Sequence, residues 1–455
     1  MIRKGIISKM LFSGAALLVL ASCSESYPGI DYDKTQGNKG IENQEGGDKE
    51  NVPVMVFVNE QNIFAVKTRG VGPFEPADRY NEERLSNSTF YVYAFRDGNY
   101  DKGPEELRRP TDYTYSRWNA PNVSGHAIDY DNMHCLLDGQ NYSEGWPMAL
   151  HPHGSGRFEY KGDLETPYYS RTYPGVPYNF FAYYWDDITP KAVHRTADGI
   201  SYDIEIDGSQ DLMCGYAPNL KEEIDKGFDS RYYDIWNSLT SDEKRAILNA
   251  GGYCAQAANH GIHPSVDIKH CLTQLTFTAY PGNESSSRVT IEGVTVKSKY
   301  KGTFTVAATD LSKIGMHFDS QRTNMELREP SDGVNPQEPL KNYTAPYEDW
   351  MNPLEWYERP HVEVGSSLMV APDEEYTLVI HCVEEKPHEI GGAPEIIRSS
   401  PTYTLHSPGE SGVFEAGYTY NISIAIYGTQ QIMVYANVQG WKPGGTVFKD
   451  DPEDN

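Results

Sequence analysis

A chain of 455 residues with a formal net charge of −26 is too long for one ordinary hydrophobic core, so at least two domains are expected. Its charge, with no clustered basic stripe, disfavours a phosphate-backbone ligand and excludes nucleic acid as a partner. Tyrosine is frequent, at 33 residues, and Leu/Ala/Glu/Lys-rich helical blocks are scarce, which fits β-structure better than a helical bundle.

At the N-terminus, Arg3, Lys4 and Lys9 precede an apolar stretch at 10–21. That stretch has the length of a signal-peptide h-region and falls short of the about 20 residues a spanning helix needs. Leu20-Ala21-Ser22-Cys23 follows, a small residue before a cysteine with Leu three positions upstream, and this resembles the lipobox of bacterial lipoproteins. The resemblance implies that 1–22 is a lipoprotein signal peptide and that Cys23 is acylated as the mature first residue. Only a thiol makes the thioether, and two or three acyl chains anchor stably where one would not. A plain secretory signal with an incidental cysteine is the other reading. Residues 23–51 are rich in Gly, Asn, Asp and Glu, with almost no apolar periodicity. They read as a flexible tether.

Val54, Val56 and Val58 alternate, and Ile63 to Val66 resumes the pattern, so a strand is expected over 52–66. Lys67-Thr68-Arg69-Gly70 comes next, a basic site of the kind trypsin-like proteases cut, with Arg69 and Gly70 the candidate cleavage residues. An ordinary loop is the alternative. Phe90, Val92 and Ala94 alternate with Tyr91, Tyr93 and Phe95 in a strand with two covered faces or one aromatic edge. From 97 to 177 the chain is loop-heavy, with room only for short strands. Tyr178-Asn-Phe-Phe-Ala-Tyr-Tyr184 is an aromatic strand, residues 199–206 alternate, and Asp211-Leu-Met213 closes the block.

Residues 216–265 break the pattern. Thr240-Ser-Asp-Glu243 has capping-box spacing, and Gly251-Gly252 stops the run, so one or two helices are expected there. A second β-block starts at Val266. Ile268, Leu272, Leu275, Phe277 and Ala279 outline one long strand, with or without a bulge, Val289 to Val296 alternates, and Gly302 to Val306 follows. Residues 319–362 read as a polar, Pro-rich excursion. Tyr376, Leu378, Ile380 and Cys382 share a strand face, and Ile422 to Val438 form a hairpin around Gly428. No helix-sized crossover separates these strands, so the sheets should be mainly antiparallel.

With Cys23 acylated, Cys135, Cys214, Cys254, Cys271 and Cys382 remain, an odd number that cannot all pair within one chain. Buried, unpaired thiols are the simpler reading. His151-Pro-His153 and His260-Gly-Ile-His263 have spacings a metal could use, but they match no zinc signature. No nucleophile elbow or phosphate-cradling glycine loop is present. No enzyme activity, cofactor or metal is expected.

Several motifs in their order along the chain resemble the fimbrillin (Mfa-like) lipoproteins of Gram-negative anaerobes. These are Tyr178-Asn-Phe-Phe-Ala-Tyr-Tyr184, Asp211-Leu-Met213, Asp267-Ile-Lys-His270 with Leu275-Thr-Phe277, Lys301-Gly-Thr-Phe304, and Ala416-Gly-Tyr-Thr-Tyr420 with the run to Trp441. The resemblance implies an all-β, mainly antiparallel fold of two transthyretin-like β-sandwich domains, 52–215 and 266–441. A partly helical insertion, 216–265, lies between them and an acidic tail, 442–455, follows. It implies a pilus component at the outer membrane and cell surface, with tip or accessory subunit favoured over stalk. Assembly would proceed by removal of the first strand and its replacement from a neighbouring subunit. The expected partners are other pilus subunits, the outer membrane through the lipid, and a host or microbial surface ligand, protein or glycan. The rival reading is a glycan-binding surface lipoprotein, with Trp118, Trp146, Trp185, Trp350 and Trp356 among the aromatics of a sugar-stacking platform.

Overall fold

Alternating apolar residues build most of this molecule, and the faces they cover decide how its sheets stack. The computed structural model describes residues 52–58, 82–96, 135–137, 144–151, 156–161, 167–169, 174–195, 199–227, 230–330, 338–346, 360–387, 392–429 and 431–439. They fall in one compact unit, Lys49–Asn455, and the strands are antiparallel except for two parallel pairings. The mainly antiparallel, all-β expectation therefore holds.

The largest sheet runs, in neighbour order, Phe57–Val58, Ser265–His270, Leu212–Tyr216, Tyr178–Trp185, Phe90–Arg96, Trp146–Leu150 and Phe158–Tyr160, with Cys135–Leu137 also on Phe90–Arg96. Its two ends meet. Phe158 N–H donates to Val56 O at 2.9 Å and Val58 N–H to Gly156 O at 2.7 Å, so the sheet closes on itself through the first strand. Strands alternate their side chains between faces, and here both faces are covered. Phe90, Val92, Ala94, Phe180, Ala182 and Met213 point into one core with Val54, Val56 and Val58. Tyr93, Phe95, Phe181, Tyr183, Leu212 and Cys214 point into the other.

That second core lies under the remaining sheets. One pairs Gly199–Glu205 with Lys301–Ala308, another centres on Val289–Lys299 against Glu375–Lys386, and a third on Thr273–Pro281 against Thr419–Gly428. The blocks 52–215 and 266–441 are therefore joined by hydrogen bonding. Ser265–His270 lies in the sheet of the first block, and Gly199–Glu205 in a sheet with the second.

Ile268 and Leu275, expected in one strand, belong to two. The chain leaves the first sheet at Cys271 and Leu272, because Leu272 and Leu275 turn into the second core while Ile268 fills the first. The polar excursion at 319–362 also contains a strand, Arg322–Glu326, paired to Val289–Lys299. Only its Met325 is buried, so there was little apolar alternation to find.

Between Leu220 and Asn259 lie four short helices, Leu220–Asp225, Ser230–Ser238, Ser241–Ala250 and Ala255–Asn259. The third carries the expected capping box. Glu243 N–H donates to Thr240 Oγ1 at 3.3 Å and Thr240 N–H to Glu243 Oε2 at 2.7 Å, which satisfies donors the first turn leaves open. Gly251 stops the helix at φ 79°, in the left-handed region that glycine enters without strain. Leu220, Tyr232, Ile247 and Tyr253 pack into the first core. The helices are thus part of that core and do not stand off it.

Candidate functional site

The first strand is short, and its surroundings are unlike those of an ordinary terminal segment. Val54 and Val58 are fully buried and Val56 is 1% exposed. The three valines stabilise this docking by roughly 1.5–3 kcal/mol each. The segment is hydrogen-bonded on both sides. Toward 265–266 it runs parallel, Phe57 opposite Ser265 and Val58 opposite Val266, with Phe57 N–H donating to Pro264 O at 2.8 Å. On the other side Val56 and Val58 exchange bonds with Phe158 and Gly156, and Val54 N–H donates to Pro167 O at 2.9 Å. Tyr169 N–H donates to Val52 O at 2.9 Å, and the Tyr160 hydroxyl to Val54 O at 2.5 Å. Removing 52–58 would open a groove walled by 156–161, 167–169 and 264–266, with its backbone donors and acceptors unpaired.

A histidine sits at the groove wall. The His263 ring lies 5.7 Å from the Phe57 ring, its carbonyl accepts from the buried Tyr232 hydroxyl at 2.9 Å, and Nδ1 has no hydrogen-bond partner. Burial, reinforced by the positive charge of Arg157 on the opposite wall, holds its pKa down at about 4. His263 is therefore neutral while the strand is in place. His260 only caps the preceding helix, and His151 meets Glu159 at 3.2 Å. Among the described residues no three His, Cys, Asp or Glu side chains gather as metal ligands.

Next to the 265–266 wall, two motifs that are distant in sequence come together. Asp211 and His270, almost wholly buried, meet through a side-chain contact of 2.9 Å across the ladder of 212–216 and 265–270. Gly215, opposite Ile268 in the same ladder, faces backbone so close that a Cβ would collide with Asp267 O. Beyond Asp211, the partly buried Asp186 carboxyl is raised to about 7, chiefly by burial and then by the charge of Asp211. These groups fasten the strand that the first strand leans on. The motif spacing in the sequence carried no sign of this contact, since 59 positions separate its members.

Cys23, Arg69 and Gly70 lie outside the described residues, as do Trp118, Trp350, Trp356 and His153. Trp146 and Trp185, offered as parts of a sugar platform, are core residues. Trp146 packs edge-on to Tyr160, and Trp185 sits edge-on to Tyr202 with ring centroids 4.8 Å apart. No helix among the described residues is long and apolar enough to cross a membrane.

No family model and no curated protein matches the sequence. Solved structures do resemble it. A proposed cell adhesion protein of Bacteroides uniformis aligns at 11% identity and a TM-score of 0.41, covering 88% of this chain and 100% of its own. One of Bacteroides ovatus aligns at 10% identity and a TM-score of 0.38, over 87% of this chain and 100% of its own. The fimbrial anchor protein Mfa2 of Porphyromonas gingivalis aligns at 11% and 0.30, over 86% and 98%.

Proposed function

We propose that this chain is a non-enzymatic, cell-surface pilus component of fimbrillin type, anchored through Cys23 and assembled by replacement of its first strand. The observation that carries the reading is the bonding of 52–58 on both sides in a closed sheet, with a basic site at Arg69-Gly70 a short distance downstream. A strand in that position can be exchanged for one of matching pattern without disturbing the other ladders. Its buried Val54, Val56 and Val58 and its backbone bonds define what a donor must supply, which is small β-branched residues at alternate positions. A tip or accessory role fits better than a stalk role, because the tail at 442–455 is acidic and polar and makes a poor donor.

The test is intact mass and N-terminal sequencing of protein from outer membranes and from sheared surface material. Chains that begin at Gly70 in the sheared fraction support strand exchange. Chains that begin only at acylated Cys23, confined to membranes, would sink the tip and stalk roles and leave a stationary anchor.

A further inference from the structure

Cys214 and Cys271 are 57 positions apart in sequence, and their sulfurs lie 3.6 Å apart. They belong to neighbouring segments of the closed sheet. Cys214 sits opposite Lys269 in the ladder, and Cys271 follows its last paired residue, its N–H donating to Leu212 O at 2.8 Å. The two side chains therefore share one face, diagonally across the pair of strands, with their sulfurs turned toward each other. Cys214 is buried in the second core, whereas Cys271 is partly exposed at its rim. Cys254 and Cys382 stand apart from this arrangement, and the Cys382 thiol donates instead to Ser399 O at 3.6 Å.

We propose that Cys214 and Cys271 form an oxidisable pair, a site at which a disulfide-bearing oxidant writes an intramolecular cross-link. The accessible thiol acts first. Cys271, as thiolate, attacks one sulfur of the external disulfide RS–SR, forming a mixed disulfide and releasing RS⁻. Cys214 then loses its proton to solvent and its sulfur attacks Cys271 Sγ, releasing the second RS⁻. The net change converts two protein thiols and RS–SR into one protein disulfide and two RSH. The hydrogen bond to Cys271, together with burial, raises the Cys214 thiol well above its ordinary pKa, so it is protonated at rest and serves as the resolving partner. Closing from 3.6 Å to the roughly 2.05 Å of an S–S bond is eased because Cys271 lies where the chain leaves the ladder.

The bridge would enclose all four helices between Leu220 and Asn259, a long loop whose closure restricts the unfolded chain. It would also fix 265–270, one wall of the groove, to 212–216. The proposal stands whether or not the first strand is exchanged.

The full chain is treated with oxidised glutathione, free thiols are alkylated, and peptides are mapped without reduction. A linked peptide joining Cys214 to Cys271 is expected, with a melting temperature several degrees above that of the reduced protein. The difference should vanish in Cys271→Ser, whose side chain is partly exposed and whose folding is checked in the reduced state. A lasting glutathione adduct on Cys271, full alkylation of both thiols after oxidation, or a different pairing would each overturn the proposal.

Discussion

The first strand and the last hairpin are both β-structure with alternating apolar residues, yet they are held in opposite ways. Residues 52–58 bury Val54, Val56 and Val58 almost completely and have few ladder bonds on either side. Thr419–Gly428, by contrast, is paired along eight residues to Thr273–Pro281 and almost its whole length to Gln431–Gln439. Gln431–Gln439 ends its sheet with Met433, Tyr435 and Val438 exposed. The hold on the first strand therefore rests on side-chain burial in a closed ring. The hairpin rests on a long backbone register that no short segment can replace.

The largest expected effect comes from a charge in the first strand. Val56→Asp would place an unpaired carboxylate in the first core and cost about 4 kcal/mol or more. Limited proteolysis should then cut at 52–58 while the second core stays resistant. A uniform loss of resistance would show that the ring and the other sheets unfold as one. Ile424→Ala, in the centre of the hairpin, should cost about 3 kcal/mol and lower the global denaturant midpoint without selective exposure of the N-terminal segment.

Acid provides a third way to separate the two regions. The His263 pKa of about 4 lies below the roughly 6.5 of a free imidazole, so the unfolded or strand-released state binds the proton first. Stability from this site is intact above about pH 6.5 and is lost as pH falls toward 4, by up to about 3 kcal/mol. Release of a labelled first strand from protein nicked after Arg69 should accelerate through that window. His263→Gln should flatten the profile, and an unchanged profile would assign the acid response elsewhere. The smallest effect is expected on the exposed edge. Tyr435→Lys should change stability by no more than about 0.5 kcal/mol while reducing concentration-dependent association measured by light scattering.

Much of this was legible in the sequence. The alternation of Val54, Val56 and Val58, the two-faced strand at 90–96, the hairpin around Gly428 and the capping box at Thr240 are all local patterns. They are set by side-chain period and by hydrogen bonds between residues close in the chain. Strand Arg322–Glu326 escaped because only one of its residues is buried, which leaves no period to detect. At Cys271-Leu272 the apolar alternation changes phase, from Val266 and Ile268 to Leu275, Phe277 and Ala279, a change that a bulge within one strand would also produce, and only the choice between two cores separates the two readings.

What the chain's own order of residues determined is the class of its elements and the faces they bury. Tertiary structure alone decided that the first strand closes a ring and that Asp211 meets His270. It also set Cys214 beside Cys271 and placed Trp146 and Trp185 in cores, away from any sugar platform. The physical reason is common to all four. Each is a contact between residues far apart in sequence, made where strands pair across the sheet or where its two faces are covered, and no local period encodes which strand becomes the neighbour.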